Sequence, residues 1–473
     1  IDMLSQNQKQ SSLEEIKNHL SKAISGDVLT DPISKALYST DASIYQIEPL
    51  IIVFPKSEED LIAIIETAYK YKLPVLPRGA GTSLAGQTTC EGIIIDFSKY
   101  MHKLIEINTE EKWVSVQPGI VLDELNQIIY NTGLMFAPDP STSNRSTIGG
   151  ALGNNSCGAH SLVWGKTVDN VQDISGVLSN GDKIKFTSTN QSTIVEKTNQ
   201  NTLESSIYKT LDTIPQNYEK EIIKKFPKIQ RRVSGYNLDE LIHKPQIDFA
   251  RFVVGSEGTL FSISEAKLKL VERPKHKALT LIFFEKLTQA MESTVVVLET
   301  MPSAIEVIDD MILNNARSNL QYSRLVKSFI DGNPEAMLIV EVMGDSKSEI
   351  KSKLEILEKK CNKNKLGYSR KIIISSEDQK NVWDVRKAGL GLMMNVPGDM
   401  KPLPFVEDTA VPPEVLPKYV NEFTKILKQH NTTAGYYGHA GEGCLHIRPL
   451  LNLKEKSDIK RMESIAEEIS DLV

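Results

Sequence analysis

The chain has 473 residues, with 55 Lys+Arg against 61 Asp+Glu and a formal charge of −6. That length accommodates about two to four domains. A composition of 40 % hydrophobic and 25 % charged residues excludes a disordered chain, and the mild acidity argues against nucleic acid as the main partner. No apolar run approaches the roughly 18 residues that a membrane-spanning helix needs.

Taken in order, residues 1–40 read as a polar extension with one amphipathic stretch, Leu13–Ile24. The start Ile1-Asp2-Met3 has neither a basic flank nor an apolar core, so no secretory leader is expected there. Leu50–Phe54 predicts a buried strand. Ser57 then starts a helix, with Leu61, Ile64, Ile65 and Ala68 at helical spacing. Pro74–Pro77, Ile93–Asp96 and Trp113–Gln117 predict strands, and Val121–Tyr130 a helix. The segment between Pro138 and Gly165 is crowded with Gly, Ser, Asn and Pro and is expected to be a ligand-binding loop. Residues 187–230 read as a polar surface insertion, and Phe252–Leu260 as a strand entering a turn. A domain boundary is expected near Pro274. Beyond it, strands at Leu279–Phe284, Ala304–Ile308, Ala336–Met343 and Lys371–Ile374 alternate with helices at Leu287–Leu298 and Lys347–Lys360. That is two βαβ units, as in a ferredoxin-like half.

Four cysteines, Cys90, Cys157, Cys361 and Cys444, contain no CxxC pair. A Cys-rich zinc site or an iron–sulfur cluster built within this chain is therefore excluded, and a reducing compartment fits.

Several stretches carry chemistry. Pro77 to Gln87, PRGAGTSLAGQ, follows a strand directly. Gly79, Gly81 and Gly86 free the backbone to cradle a pyrophosphate, with Arg78, Thr82 and Ser83 as further donors; an ordinary Gly-rich turn reads equally well. The spacing is not that of a Rossmann fingerprint. Trp164-Gly165-Lys166-Thr167 is not a P-loop, because His160 stands where that motif needs Gly. Ile148-Gly149-Gly150 and Asn154-Asn155 offer tight backbone and amide groups suited to a flat heterocycle. Glu257 is the one charge in the small-residue turn Gly255–Leu260. His439 and His446, seven residues apart across a Gly-rich turn, either converge on a metal or are two satisfied histidines, and Glu442 and Cys444 could reach inward beside them. Arg386 and Lys401 are candidate carboxylate clamps or plain surface charges.

Together, PRGAGTS, the stretch PDPSTSNRSTIGGALGNNSCGAHSLVWGKTVDNV and VVGSEGTL resemble the flavoprotein family that includes the flavin-binding component of glycolate oxidase, D-lactate dehydrogenases and D-2-hydroxyglutarate dehydrogenase. RRVSGYNLDELI, GDMKPLPFVEDTAVP and YGHAGEGCLHIRP resemble the long bacterial form, which is fused to an iron–sulfur part and associated with D-2-hydroxyglutarate oxidation. The resemblance implies an α+β fold. It comprises a vanillyl-alcohol-oxidase-type FAD-binding domain of two α/β subdomains over residues 41–274. A ferredoxin-like α/β cap domain follows over 275–473. Non-covalent FAD is implied, since Ala80 stands where covalent relatives carry His. The implied flavin contacts are Arg78, Gly79, Ala80, Gly81, Thr82, Ser83, Gly86, Gln87, Pro138, Asp139, Ser143, Thr147, Ile148, Gly149, Gly150, Asn154, Gly158, Ala159, Glu257 and Ile263. Arg386 matches the substrate-carboxylate arginine, Lys401 a substrate contact, and His439 with His446 a zinc-like metal pair. His446 is the candidate base if it is not a ligand. Arg448 replaces an Asn and is a candidate for a distal carboxylate. Phe261-Ser262 replaces a small Gly-Ile near the ring.

The implied activity is oxidation of a D-2-hydroxy acid, with D-2-hydroxyglutarate first and D-lactate or glycolate as alternatives. Electrons would pass to an iron–sulfur domain, a quinone or a carrier. A reductase or oxidase of the same fold is one rival, and a non-catalytic FAD-binding component of a larger electron-transfer complex is another. The implied location is cytoplasmic or peripheral at the inner membrane, with a homo-oligomer open. The chain is expected to be truncated inside a helix at Ile459–Val473. The family's later Glu-His-Gly stretch and the cluster cysteines would then lie beyond it.

Overall fold

The computed structural model describes residues 6–242 and 246–473, so the Ile1-Asp2-Met3 start lies outside the described residues. The chain forms two compact units. One contains the N-terminal part to Cys157 with Trp164–Pro227 and Val233–Arg273; the other contains Gly158–Val163, Lys228–Arg232 and Pro274–Val473. Among the described residues, no helix is long and apolar enough to cross a membrane.

The first unit begins with helix α1 (Gln6–Ala23), which buries Ile16 and Leu20, and strand β1 (Asp27–Leu29). Next come β2 (Ile51–Phe54), α2 (Glu58–Tyr71), β3 (Val75–Arg78) and β4 (Ile93–Asp96). These strands lie in the order β1-β2-β4-β3, with β2, β4 and β3 parallel. Every residue of β2 and β4 is buried, as their continuous apolar runs predict for parallel strands covered on both faces. Ser57 caps α2 by accepting from Asp60 N at 3.3 Å, and three acidic residues in the first turn favour the helix dipole.

A second sheet contains β5 (Leu104–Asn108), β6 (Trp113–Val116), β7 (Val171–Val177), β8 (Lys183–Phe186) and β9 (Ser262–Lys269), in the order β5-β6-β9-β7-β8. Three expectations change along this part of the chain. The Pro138–Gly165 stretch is not all loop: it carries α3 (Ile148–Asn154) and the short helix Ser161–Trp164. Residues 187–230 are not a mere surface insertion, because α4 (Leu203–Lys225) buries Tyr208, Leu211 and Ile222. Phe252 lies in helix α5 (Phe249–Val253), capped by the Asp248 side chain, rather than in a strand. A short apolar run between turns does not distinguish the two by periodicity.

The second unit opens with β10 (His276–Phe284), α6 (Leu287–Leu298), β11 (Ala304–Asp309) and α7 (Asp310–Ser318). It continues with β12 (Ala336–Gly344), α8 (Lys347–Asn364), β13 (Ser369–Ile373) and α9 (Ser376–Lys387). The order β13-β10-β12-β11 with antiparallel neighbours is the ferredoxin-like arrangement of two split βαβ units. The sheet then grows beyond that half. β16 (Ala434–His439) adds to β11 and β17 (Cys444–Leu451) to β16. The two-residue strands β14 (Lys401–Pro402) and β15 (Thr409–Ala410) pair with β17. One sheet face packs Ile305, Val307, Leu338, Val340 and Ile447 against helices α10 (Leu416–Gln429) and α11 (Lys456–Leu472). The opposite face carries the charges described next.

Candidate active site

A cleft in the first unit is lined by the β3 loop, α3 and the Gly255–Leu260 turn. Arg78, Gly79, Ser83, Gln87, Thr147, Gly149, Gly150, Asn154, Glu257 and Ile263 all line it. Its floor is bare backbone. A Cβ on Gly150 would meet only Thr147 Oγ1, at 3.2 Å, and one on Gly153 only Glu257 Cα, at 3.8 Å. Side chains at these positions would fill the cleft.

Local hydrogen bonds hold the cleft open. Ile148 N and Gly149 N donate to Ile120 O and Pro118 O at 2.8 and 2.7 Å, which fixes the start of α3. Gly255 N and Glu257 N donate to Leu152 O and Gly153 O, which ties the Glu257 turn to the end of α3. Glu257 has φ +51°, and its carboxylate accepts from Gln87 Nε2 at 3.3 Å, linking turn to loop. Arg78 does not present a free guanidinium. It is buried and donates to Thr88 O, Thr40 O and Tyr38 O at 2.8, 2.9 and 3.2 Å, so it shapes the loop from within. Ala80, Gly81, Thr82 and Gly86 belong to the same loop without lining the cleft, and Pro138, Asp139, Ser143 and Ile148 also lie off its wall. Gly158 and Ala159 fall in the second unit. The sequence reading placed Phe261 near the ring, and it lines the wall; Gly153, Ser256 and Gly258 on the wall were not among the candidate contacts. Gly153 lies one turn on from Gly149 and Gly150 in α3.

In the second unit, strand alternation places Glu341, Glu306, His439, His446 and Arg448 on one sheet face. The register pairs Ala304 with Glu341, Val307 with Gly438, Tyr437 with His446 and Gly435 with Arg448. Glu306 is 1 % exposed. It accepts from His439 Nδ1 at 2.8 Å and from Arg386 Nε and Nη2 at 2.7 and 2.5 Å. Burial works to raise the Glu306 pKa, but Arg386 and His439 outweigh it and hold the carboxyl at about 2. Burial, with Arg231 nearby, pushes His439 down to about 4 against the pull of Glu306. His439 is therefore a neutral imidazole with Nδ1 donating and the lone pair on Nε2.

His446 behaves oppositely. Its Nδ1 lies 2.5 Å from Asp408 Oδ1 and 3.3 Å from Glu407 Oε1. Burial disfavours its cation, yet the Asp408 and Glu407 charges push the pKa up to about 9. The His439 and His446 rings sit 5.1 Å apart, edge to face. Glu407, Asp408 and His446 each offer a ligand atom within 4.8 Å of the others, and the Asp408 side chain is 54 % exposed, which leaves the group open to a ligand. Arg448 pairs with Glu407 at 2.5 Å, and Lys401 Nζ donates to Val396 O at 2.7 Å. Glu442 accepts from Arg231 Nη1 at 2.8 Å. Trp383 Nε1, His160 Nε2 and Lys277 Nζ surround Glu341 at 3.2, 2.8 and 3.6 Å. The sequence reading missed Glu306 and Glu341. Each is a lone carboxylate inside an apolar strand run, AIEVID and AMLIVEVMG, and that was the available signal.

A Gly-floored cleft in one unit and a ferredoxin-like sheet with a buried charged face in the other belong to the vanillyl-alcohol-oxidase fold. Residues 49–187 match the FAD binding domain family, and residues 273–473 match the C-terminal domain of FAD linked oxidases. The chain carries both the FAD binding domain and the C-terminal domain of FAD linked oxidases. It is 34 % identical to D-2-hydroxyglutarate dehydrogenase of Haemophilus influenzae over 94 % of this chain and 45 % of that protein. Identity to the enzyme of the same name from Escherichia coli is 33 %, over 95 % of this chain and 45 % of that protein. Glycolate oxidase subunit GlcD of Bacillus subtilis is 27 % identical over 92 % of this chain and 80 % of that protein. The chain thus spans about half the length of the dehydrogenases it matches. Among solved structures, p-cresol methylhydroxylase superposes with a TM-score of 0.68 at 13 % identity, over 100 % of this chain and 88 % of that one. Alkyldihydroxyacetonephosphate synthase superposes with a TM-score of 0.67 at 17 % identity, over 97 % and 80 %. These likenesses show the fold.

Proposed function

We propose that the chain oxidises a D-2-hydroxy acid to the 2-oxo acid, with D-2-hydroxyglutarate as the first substrate to test. FAD binds non-covalently in the first-unit cleft. The bare floor at Gly150 and Gly153 suits a flat ring system, and the loop carries Ala80 in place of a nucleophile. When bound, FAD supplies the acceptor for the hydride from the hydroxyl-bearing carbon. The observation that carries the reading is the Arg386–Glu306–His439 chain on the second unit's charged face.

The residues divide the work. Arg386 stacks over the Tyr437 ring at 5.0 Å and, among the described residues, keeps Nη1 without a hydrogen bond, an edge for the C1 carboxylate. His439, with its lone pair on Nε2, takes the hydroxyl proton or ligates a metal, one role at a time. His446 is held cationic by its carboxylates, so it serves charge rather than base chemistry when no metal is present. A zinc-like ion suits the donor set of His439 and His446, with Glu407 or Asp408 as oxygen ligands, and would supply Lewis-acid polarisation of the hydroxyl. Lys401 and Arg448 are the candidate cations for a second carboxylate. The electron acceptor is an iron–sulfur partner, a quinone or a soluble carrier.

The test is anaerobic mixing of the FAD-loaded protein with D-2-hydroxyglutarate, D-lactate and glycolate. Bleaching of the visible flavin band by a D-2-hydroxy acid supports the reading, and the panel ranks the substrates. No bleaching by any of them overturns it. Arg386→Ala should keep FAD and raise KM about 100-fold, the loss of a charge-assisted bidentate contact of roughly 3 kcal/mol.

A further inference from the structure

Glu306 sits in the middle of β11, and both of its oxygens are engaged with groups that serve different tasks. The sheet register accounts for one contact. Val307 faces Gly438, so Glu306 lies beside His439 on the adjoining strand. The other contact comes from the last turn of α9, where Arg386 is itself buried. A carboxylate only accepts hydrogen bonds. His439 therefore donates from Nδ1 and is left with its Nε2 lone pair. The same carboxylate takes Nε and Nη2 of Arg386 side-on, which sets the plane of the guanidinium and turns its Nη1 edge outward from the pair. His439 and Arg386 are 53 residues apart in the chain. Their common orientation runs through one side chain.

We propose that Glu306 is a positioning residue that fixes the His439 tautomer and the Arg386 fork together, so that the hydroxyl-handling group and the carboxylate-binding group are set by one carboxylate. This rests on the hydroxy-acid reading above. A Gln at this position can accept at one end only, and its other end donates, so one partner meets the wrong group. Carboxylates that orient a metal-binding imidazole typically change metal affinity about 10- to 100-fold when removed.

The experiment uses the FAD-loaded full chain and two probes, Co²⁺ and oxalate, each titrated alone. Glu306→Gln should retain FAD while Co²⁺ affinity, read from the visible cobalt bands, falls about 10- to 100-fold. Oxalate affinity, read from the flavin difference spectrum, should fall about tenfold or more, with KM for the hydroxy acid raised in step. A lower melting temperature with both affinities unchanged overturns the proposal and leaves Glu306 as a structural ion-pair partner. Should the Gln variant not fold, Glu306→Asp keeps the buried charge but is one methylene too short to span both partners. At least one affinity should then fall about tenfold, and no change in either overturns the proposal. A wild-type protein that bleaches with no hydroxy acid defeats the functional reading. A wild-type protein that turns over with Glu306-independent affinities defeats this one.

Discussion

Replacing Gly79 by Ala tests the cleft at a point where the geometry leaves no slack. A Cβ at Gly79 would lie 2.2 Å from Thr147 Oγ1 and 3.3 Å from Thr147 Cβ and Cγ2. Thr147 is 2 % exposed, and its hydroxyl caps α3 by accepting from Gly150 N at 3.2 Å. Its backbone also bridges Val121, so the residue cannot withdraw as a whole. Relief requires Oγ1 to swing away, which removes the cap at about 0.5–2 kcal/mol. Residual overpacking adds about 1–3 kcal/mol. A gain of about 0.4–1 kcal/mol comes from the less flexible unfolded chain. The net is a loss of about 0.5–4.6 kcal/mol, centred at about 2.5 kcal/mol, which is roughly 5–10 °C for a unit of this size. Thermal release of flavin, followed by its fluorescence, reports the first unit, and FAD titration of the apoprotein reports the cleft. Gly391→Ala is the control, since a Cβ there meets nothing within 4 Å and the position is helical. It should be neutral or slightly stabilising. If the Gly79 variant melts within about 2 °C of wild type and binds FAD equally well, the account of the Thr147 contact is wrong.

Two further outcomes are expected. Asp309 accepts from Tyr436 N and Ile312 N at 2.6 and 3.2 Å, yet burial pushes its pKa up to about 7. A carboxyl raised in the fold contributes stability below the unfolded pKa near 4, and that contribution is lost as pH rises through about 7. The loss is at most about 4 kcal/mol. Asp309→Asn removes this titration and starts about 1–3 kcal/mol behind, because its amide meets a backbone N–H. Its stability relative to wild type should therefore improve between pH 4 and 7 in urea unfolding, and parallel profiles would refute the assignment. Gly443→Ala should cost about 3 kcal/mol or more. The residue has φ +69°, and its Cβ would lie 1.8 Å from Val411 O. As Gly443 sits in the turn between His439 and His446, a folded variant should also bind Co²⁺ more weakly, and wild-type melting and Co²⁺ affinity would refute it.

Local chemistry was legible. Continuous apolar runs marked the parallel strands, Ser57 marked the start of α2, and the spacing after Pro274 predicted the ferredoxin-like half. The glycine stretches announced themselves because a backbone that must pass close to a ligand, or adopt positive φ, restricts residue type at single positions. By contrast, α3 was not legible. Ile148–Asn154 holds three glycines, and its helix depends on carbonyls of Pro118 and Ile120, which no local propensity reports. α5 was missed because its apolar run is buried by surroundings that the run itself does not encode.

The residues that handle charge show the division most clearly. From sequence alone, Arg386, Lys401, His439, His446 and Arg448 stood out as chemical types in suggestive company. Their states came only from the tertiary structure. Glu306 lies 80 residues from Arg386 and 133 from His439, and only the antiparallel register of β11 with β16 and the docking of α9 bring them within hydrogen-bonding distance. Two histidines seven residues apart end with pKa values of about 4 and about 9, because one is buried near Arg231 and the other lies against two carboxylates. Composition and spacing determine which groups are available. Burial and the charge of neighbours, which depend on the inverse of distance and the local dielectric, decide what each group does.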